Sequence, residues 1–368
     1  MTHSNTMPHT DLFLGIDYHQ HRLQVCILDP DGRVVVNRPL DNHWQAVVDL
    51  AGQHGRIRRA AIEACPGAAD LAEQLVELAG WHVELAHPAY VAKLKRSPDK
   101  SDFSDARLLA DLTRVGYLPR AWLPGRWTRQ LRQLVRYRQQ QVEAGRHAKL
   151  RIGALLREHR LRPADQVRRW TKAWLAWLEH DVKEQLPAAA AWVLERQVAQ
   201  IAHAADEVRA AEAQLHEHTE QDVTTARLLD QPGIGPVTAW VLRAEVDRFD
   251  RFDSGKALAR FCGLSPRNAS SGERDAQAGL VDGCSRLLRA TLVELGHRLI
   301  RTQPRWTKLA GRWRGAGKAG SVVAAAVANR YVRQLYYRMI EPGSPPSTST
   351  AEDAAPHGQE EALAVLPR

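Results

Sequence analysis

Four acidic residues occupy positions from which their carboxylates could meet. Asp17 ends the apolar segment LFLGID, and Glu63 stands at the end of a later apolar segment, RAAIEA. Asp102 and Asp105 are three residues apart at the start of a predicted helix, so both side chains lie on one helical face. Two strand-end acids and such a pair can converge at one sheet edge. Because Mg²⁺ prefers oxygen ligands, and two metal ions about 4 Å apart stabilise the attacking and leaving oxygens of phosphoryl transfer, we predict a two-metal site.

Each acid also has a simpler interpretation. Asp102 and Asp105 could be first-turn acids that favour the helix dipole and do nothing else. Asp17 could be a turn residue, and Glu63 a solvated strand end. Taken singly, each acid fits the simpler interpretation better. Taken together on this order of strands, they favour the metal site.

The segments that would position these acids follow from the hydrophobic pattern. The predicted strands cover residues 12–17, 22–28, 33–36, 59–64 and 81–87. DPDG at 29–32 is a strong turn signal. Predicted helices cover residues 43–52 and the segment AADLAEQLVELAG. Strands that first form a hairpin set and then alternate with helices predict a mixed α/β sheet that ends near residue 120.

The charge of the chain points to a polyanionic partner. The 368 residues carry a formal charge of +9. The segment from Glu341 to the end has five acidic residues and one basic residue, so the rest of the chain carries +13. A basic body favours nucleic acid or an anionic membrane surface. No apolar run reaches the roughly 20 residues that span a bilayer, the N-terminus lacks a secretory segment, and the four separated cysteines fit a reducing cytoplasm.

The middle of the chain is predicted to be helical. Residues 126–162 contain eleven basic and two acidic residues and form one long basic amphipathic helix, or two. A tryptophan-rich turn region is predicted at 170–178, and a second helical segment at 188–220. In that segment Leu194, Ile201, Val208 and Leu215 repeat every seven residues, with Val198 and Ala205 between them. This spacing fits a coiled-coil seam and an ordinary bundle helix about equally well.

Two later segments could contact phosphate. QPGIGPVTAWVLRAEV at 231–246 is a glycine turn leading into a helix, where Gly233 and Gly235 allow close backbone approach and free N–H groups await an anion. It resembles a helix-hairpin-helix, although a tight turn without ligand is the alternative. In FCGLSPRNASSGERD, Arg267 and Arg274 flank a Ser-Ser-Gly loop and could hold a phosphodiester beside it.

These motifs occur in the order found in a known family. They are GID at 15–17, AIEA at 61–64, DKSDFSDARLLADL at 99–112, PGIGPVTA at 232–239, RFDSGKALARFCGLSPR at 251–267 and SSG at 270–272. Over roughly residues 11–340 the chain resembles the DEDD transposases of bacterial insertion sequences, the IS110 and IS1111 group, which are related to the Piv DNA invertase. The combination is specific, although each motif alone is weak.

The resemblance implies a RuvC-like catalytic domain of the RNase H fold, a helical coiled-coil linker and a C-terminal transposase domain. The domain ranges implied are 11–124, 125–222 and 223–340, between disordered ends at 1–10 and 341–368. It implies that Mg²⁺, two ions per site, is held by the tetrad Asp17, Glu63, Asp102 and Asp105. It also implies that Ser271 is a nucleophile that forms a covalent phosphoserine link to DNA.

The resemblance further implies partners. They are donor and target DNA, a structured non-coding bridge RNA that pairs with both, and further copies of the chain in a dimer or tetramer whose site is shared between protomers. The basic helix, with Arg132, Arg136, Lys149 and Arg151, suits an RNA or DNA backbone. A site-specific invertase or a RuvC-like junction resolvase is the alternative function. A nucleic-acid-binding protein without catalysis is the second alternative.

Overall fold

The apolar segments at the start of the chain form a six-stranded mixed sheet. This computed structural model describes residues 11–94, 101–268, 277–281 and 283–340, and the chain divides into two units after Arg126. The strands are β1 (Asp11–Tyr18), β2 (Arg22–Leu28), β3 (Val34–Asp41), β4 (Arg56–Glu63), β5 (Val83–Ala86) and β6 (Arg120–Ala121). They lie in the order β3-β2-β1-β4-β5-β6. The first three are antiparallel, β4 is parallel to β1, β5 is parallel to β4, and β6 is antiparallel to β5. The predicted mixed α/β sheet is confirmed.

Helices cover both faces of this sheet. They are α1 (Trp44–Gly52), α2 (Ala68–Ala79), α3 (Pro88–Leu94) and α4 (Asp102–Arg114). On one face Ile16 and Ile62 are buried in a core that α1 and α2 close. On the other face Cys26 packs against Ala106 and Ala110 of α4. Because successive side chains of a strand point to opposite faces, Asp17, next to Ile16, belongs to the face that carries α4.

The second unit is almost entirely helical. Its helices are α5 (Arg126–Glu158), α6 (Lys172–Trp177), α7 (Lys183–Gln185), α8 (Ala188–Thr219), α9 (Val223–Leu229), α10 (Pro236–Val246), α11 (Gly255–Phe261), α12 (Arg286–Thr302), α13 (Pro304–Gly315) and α14 (Gly320–Met339). A two-stranded ribbon joins β7 (Pro266–Asn268) to β8 (Gln277–Leu280). The predicted basic segment is therefore one continuous helix, α5. The ends predicted to be disordered, 1–10 and 341–368, lie outside the described residues.

The long helices α5 and α8 pack against each other within the chain. Arg138 of α5 donates to Glu212 of α8 over 2.7 Å, and the Tyr137 hydroxyl donates to Glu207 over 2.5 Å. A Cβ on Gly145 would lie 3.5 Å from the Cβ of Ala204, an ordinary contact. Of the predicted heptad positions, Leu194 and Leu215 are buried, whereas Ala205, placed between them, is exposed. The structure thus shows the bundle alternative, and a coiled coil between chains stays a prediction.

The predicted turn region at 170–178 is wrong, because most of it is helical. Thr171 caps the start of α6, since its hydroxyl accepts from the backbone N–H of Trp174 over 3.3 Å. A π-helical segment, Leu178–Val182, continues α6. Trp174 is 1% exposed and lies 4.2 Å from Trp170, measured between ring centroids. Packing of the indole rings therefore overrides the turn composition.

A buried ion network ties α9 to α10. Asp222 accepts from the N–H of Thr225 over 2.8 Å and from Arg243 Nε over 2.9 Å. Arg243 also pairs with Asp247 at 3.0 Å, and its guanidinium lies 4.6 Å from the centre of the Trp127 ring. One guanidinium thus neutralises two half-buried or buried carboxylates and stacks on an aromatic face.

Candidate metal centre and nucleic-acid contacts

The ends of β1 and β4 bring two of the predicted acids to one edge of the sheet. The parallel register pairs Ile16 with Ile62, so Asp17 and Glu63 are the next residues of their strands. Both are half-buried. Glu63 also pairs with Ala86 of β5, which keeps it within the ladder. The two carboxylates therefore leave neighbouring strands at the same edge, as the sequence predicts.

Gly15 brings the N-terminus of α4 to this edge. A Cβ at Gly15 would lie 2.1 Å from the carbonyl oxygen of Ala106 and 2.4 Å from the amide nitrogen of Ala110, so only glycine permits this approach of helix to strand. Asp102 is the first residue of α4, and Asp105 lies in its first turn. The close contact at Gly15 thus sets α4 so that its first turn reaches the end of β1.

Electrostatic coupling shows that three of the acids are close. Burial raises the pKa of the Asp17 carboxyl, His19 opposes that rise, and the charges of Asp102 and Asp105 raise the pKa further. Like charges within a few ångströms disfavour ionisation, and a bound cation would reverse the effect. The charges of Asp102 and Asp105 therefore disfavour ionisation of Asp17 in the protein without metal.

Cys65 connects Glu63 to the same group. Burial raises the pKa of the Cys65 thiol, a hydrogen bond with the backbone of Ala68 lowers it, and the charges of Glu63 and Asp17 raise it again. Both carboxylates therefore act on one thiol at the end of β4. Asp17 and Glu63 therefore lie at neighbouring strand ends, and Asp17 lies beside Asp102 of α4. Among the described residues, the group whose ligand atoms lie within 4.8 Å of one another contains Asp17, His19 and Asp102, and neither Glu63 nor Asp105 belongs to it.

His19 is a member of this group that the sequence analysis missed. Its Nε2 lies 3.2 Å from Asp17 Oδ2 and 3.4 Å from Asp102 Oδ2. One ligand atom from each of these three residues lies within 4.8 Å of the others. His19 stands in the turn between β1 and β2, where its backbone N–H donates to the Arg22 carbonyl over 3.0 Å. The signal in the sequence was its position two residues after Asp17, just beyond the strand end.

The donor set fits a divalent cation. Asp17, Glu63, Asp102 and Asp105 offer carboxylate oxygens, which suit Mg²⁺. Burial and the charges of Asp102 and Asp105 raise the pKa of Asp17, and a bound cation would lower it. His19 adds an imidazole nitrogen, a ligand better suited to zinc or nickel than to magnesium. The edge can therefore hold metal through oxygen atoms, with one nitrogen close by.

The predicted glycine turn is well defined. Gly233 has φ +86°, and a Cβ there would lie 2.6 Å from Leu299 Cδ2, so the turn requires glycine on both counts. Gly235 caps α10, with Pro236 as the first helical residue. Arg298 donates to the Gly233 carbonyl over 3.1 Å. These contacts fix the conformation of the turn between α9 and α10, and the contact of this turn with phosphate stays a prediction.

The four basic residues predicted on α5 differ in how the fold uses them. Arg132 donates hydrogen bonds to the carbonyl oxygens of Ala244 (2.6 Å) and Glu245 (3.3 Å), so its guanidinium is bound to the C-terminal end of α10. Arg136 is exposed and 3.7 Å from the Glu245 carboxylate. The ammonium of Lys149 lies 5.2 Å from the centre of the Trp170 ring, and Arg151 is exposed. Arg136 and Arg151 are the two that present their charge to solvent.

The comparisons with known proteins identify the family. A model of DEDD transposases of IS110 elements, described as "Transposase", matches residues 14–160. A second model, "Transposase IS116/IS110/IS902 family", matches residues 225–310. The chain belongs to the IS110 family of transposases. The predicted resemblance is confirmed.

Similar proteins cover most of this transposase. A "Probable family 20 transposase" of Pseudomonas aeruginosa is 26% identical over 329 residues, which are 88% of this chain and 95% of that protein. The transposase for insertion sequence element IS1328 of Yersinia enterocolitica is 25% identical, over 74% of this chain and 81% of its own. The transposase for insertion sequence element IS1111A of Coxiella burnetii is 24% identical, over 78% of each chain.

Part of the predicted site of this transposase lies outside the described residues. Ser271 and Arg274 belong to the segment 269–276, between β7 and β8. Arg267 lies on β7 and is exposed. Among the described helices, none has the length and hydropathy that a bilayer-spanning segment needs.

Proposed function

We propose that this transposase cuts and rejoins DNA to move its own insertion sequence, with two Mg²⁺ ions held by Asp17, Glu63, Asp102 and Asp105. The observation that supports the proposal is that Asp17 and Glu63 leave neighbouring strands at one sheet edge, with Asp102 beside Asp17 at the start of α4. Bound there, the two ions supply Lewis-acid stabilisation of the attacking and leaving oxygens.

The elements that carry the acids support this proposal. Gly15 lets α4 lie against β1, which keeps Asp102 and Asp105 beside Asp17. Glu63 is fixed by its place in the ladder between β1 and β5. We propose that a scissile phosphate binds where these strand ends and the start of α4 meet, since rigid placement is what positioning catalysis needs.

Ser271 is the proposed nucleophile, on the strength of the family resemblance. Its Oγ bonds to phosphorus while the bond from phosphorus to the 3′-oxygen breaks. The proton lost by the serine hydroxyl balances the proton gained at the released 3′-oxygen. Attack by the 3′-hydroxyl of a new partner strand on the phosphoserine then rejoins the DNA and frees the serine. We propose that assembly of two or four copies brings this serine to the acids of a partner.

We propose that a guide RNA, together with the protein, selects the donor and target DNA. A structured bridge RNA would pair with donor and target DNA. The exposed Arg136 and Arg151 of α5, with Arg267, Arg274 and the turn at Gly233 and Gly235, would contact phosphates without reading sequence. Such contacts predict binding that weakens steeply as salt rises.

A recombination assay with two plasmids tests the proposal. One plasmid carries the element with its natural flanking DNA, and the other carries the target. Ser271→Ala and Asp102→Ala should each abolish recombination while DNA binding persists, whereas the neighbouring Ser270→Ala should recombine normally. If Ser271→Ala still exchanges strands, the covalent route is wrong.

Trapping of a denaturant-resistant protein–DNA adduct separates the alternatives. A transposase or invertase that uses Ser271 gives the adduct, and Ser271→Ala does not. A junction resolvase gives metal-dependent cleavage and no adduct. A protein that only binds nucleic acid gives salt-sensitive binding with neither cleavage nor adduct.

A further inference from the structure

Helix α13 is amphipathic, with a cationic outer stripe. Arg305, Lys308 and Arg312 recur at spacings of three and four residues, so they share one side of the helix. All three are exposed. Trp306 and Ala310, on the inner side, are 3% and 0% exposed and belong to the core of the second unit. We call Arg305, Lys308 and Arg312 the α13 stripe.

In the described part of the chain, the charge of this stripe is not compensated by nearby acids. From Arg286 to Ile340 the sequence has twelve Lys and Arg residues and one carboxylate, Glu294. Among the described residues no carboxylate pairs with any member of the stripe. The Arg305 guanidinium instead lies over the neighbouring Trp306 ring, 5.1 Å from its centre. Within the described part of the chain, no paired carboxylate therefore offsets the mutual repulsion of these three cations.

The helix dipole does not account for the stripe. Cations stabilise the last turn of a helix, which explains Arg312 and the adjacent Arg314. Arg305, however, is the second residue of α13, directly after Pro304, and a cation at that end opposes the dipole. Lys308 is in the helix interior. A polyanion along the outer side would turn these unfavourable positions into favourable ones.

The inner side holds the stripe firmly. The Trp306 and Tyr331 rings lie 6.3 Å apart, centre to centre, in an edge-on arrangement. Thr307 donates to the Ile300 carbonyl of α12 over 2.6 Å. The Arg330 guanidinium of α14 lies over the Trp313 ring at 4.9 Å. These contacts hold α13 against α12 and α14. The charges on its outer side therefore form a row that is fixed before any ligand binds.

We infer that the α13 stripe binds the phosphate backbone of duplex DNA, and this inference rests on the proposed action on DNA. The three residues lie within eight consecutive positions, and Arg305 and Arg312 are about 10 Å apart along the helix axis at 1.5 Å per residue. Each strand of duplex DNA presents one phosphate per ~3.4 Å of the helix axis, so a rigid row of this length can meet about three phosphates along a groove edge. A row of charges reads no bases, so the contact positions the protein on DNA of any sequence.

Fluorescence anisotropy with the full chain tests this surface. The probe is a labelled duplex of about 30 base pairs and arbitrary sequence, which is long enough to contain a typical protein–DNA interface. It is titrated at several NaCl concentrations with a chelator present so that no strand is cut. The test variant is R305A/K308A/R312A, since alanine preserves an exposed helix. The matched control is R168A/R169A/K172A, which removes three exposed cations elsewhere in the same unit. Circular dichroism melting checks that both variants fold.

The salt dependence decides the outcome. Loss of three phosphate contacts lowers the slope of log K against log salt by about 2.7, at roughly 0.9 per phosphate, and weakens binding at low salt at least tenfold. The control triple should keep the wild-type slope. Equal slope losses in the two triples would show a general effect of net charge, and an unchanged slope in the α13 variant would show no contact. Either result overturns the inference.

Two further measurements complete the test. The first distinguishes RNA binding from DNA binding, and the second distinguishes failure of the inference from failure of the proposed function. A labelled structured RNA hairpin replaces the duplex in a parallel titration; loss of RNA binding with duplex binding intact would assign the stripe to RNA and overturn the inference. If the wild-type chain itself fails to bind duplex DNA, the proposed function fails along with the inference. If the wild type binds and recombines while R305A/K308A/R312A keeps its slope, only the inference fails.

Discussion

Gly15 of β1 lies so close to Ala106 of α4 that a Cβ on the glycine would be 2.1 Å from the Ala106 carbonyl oxygen. This contact is backbone to backbone, so no side-chain rotation can relieve an added methyl group. Because Asp17 follows two residues later on the same side of β1, and Asp102 begins α4, one contact sets the distance between two predicted metal ligands. The packing of the sheet and the chemistry of its edge are therefore coupled at Gly15.

Substitution of Gly15 should lower both the stability of the fold and its affinity for metal, although all four acids remain unchanged. Gly15→Ala forces α4 away from β1, and we expect a loss of about 3 kcal/mol in the free energy of unfolding, as for overpacked cores. Affinity for Mn²⁺, a spectroscopic substitute for Mg²⁺, should fall with it. Gly52→Ala is the control, because a Cβ at Gly52 meets nothing within 4 Å. Full metal affinity in a folded Gly15→Ala protein would contradict this account.

Neutralising one acid should stabilise the metal-free protein and abolish its response to metal. Asp102→Asn removes a charge that raises the pKa of Asp17, so the melting temperature without metal should stay the same or rise. The wild-type gain on adding metal, about 2.7 kcal/mol at a hundredfold excess over Kd, should disappear. Asp111→Asn is the control on the same helix, since Asp111 pairs with Arg114 at 2.7 Å. Thermal melts with and without Mg²⁺ measure both effects, and a wild-type metal shift in Asp102→Asn would exclude Asp102 as a ligand.

The sequence predicted the sheet well because its strands have strong local signals. β2 lies at the predicted residues, 22–28, and DPDG gives the turn that follows it. β3 runs on to Asp41 through Pro39, which an edge strand tolerates. β6 has two residues, too few for any periodic pattern. Its place beside β5 is decided by tertiary pairing alone.

The sequence shows which strand ends and which helix start carry the four acids, but not the surroundings of these acids. Strand ends and helix starts are local features, so Asp17, Glu63, Asp102 and Asp105 could be placed near one edge. The contact of His19 with two acids depends on the path of the hairpin, which residue types do not specify. Arg132 shows the same limit, because a count of basic residues cannot tell a phosphate ligand from a side chain that bonds the end of α10.

His19 should control which metals bind at the sheet edge. Imidazole suits Zn²⁺ but is a poor partner for Mg²⁺, so His19→Ala should weaken Zn²⁺ binding about tenfold and leave Mg²⁺ affinity almost unchanged. His21→Ala, on the same hairpin and exposed, is the control. Competition with a chromogenic chelator measures the Zn²⁺ affinity, and displacement of bound Mn²⁺ by Mg²⁺ measures the Mg²⁺ affinity. Equal losses for both ions would mean that His19 supports the site and does not act as a ligand.

Asp222 should make the second unit sensitive to acid. Burial raises the pKa of this carboxyl, but hydrogen bonds from Arg243 and Thr225 outweigh burial and hold the pKa below its usual range. A depressed pKa in the folded state means that the stabilisation is complete above the pKa of the unfolded chain, about 3.9, and is lost as pH falls through the lower folded value. Asp222→Ala should therefore cost about 3 kcal/mol at pH 7, because Arg243 keeps a buried charge with one partner fewer.

The pH dependence of that loss separates the ion network from simple packing. Urea unfolding at several pH values should show the difference between wild type and Asp222→Ala shrinking from about pH 4 downward, where the carboxyl of the unfolded chain takes up a proton. The decrease is complete only at lower pH, where the folded carboxyl is protonated as well. Asp206→Ala is the control, since its pair with Arg209 is exposed on α8 and should contribute less than about 0.5 kcal/mol at any pH. A difference that stays constant down to acid pH would assign the effect of Asp222 to packing, because the energy of a lost charge pair must vanish when the carboxylate is neutral.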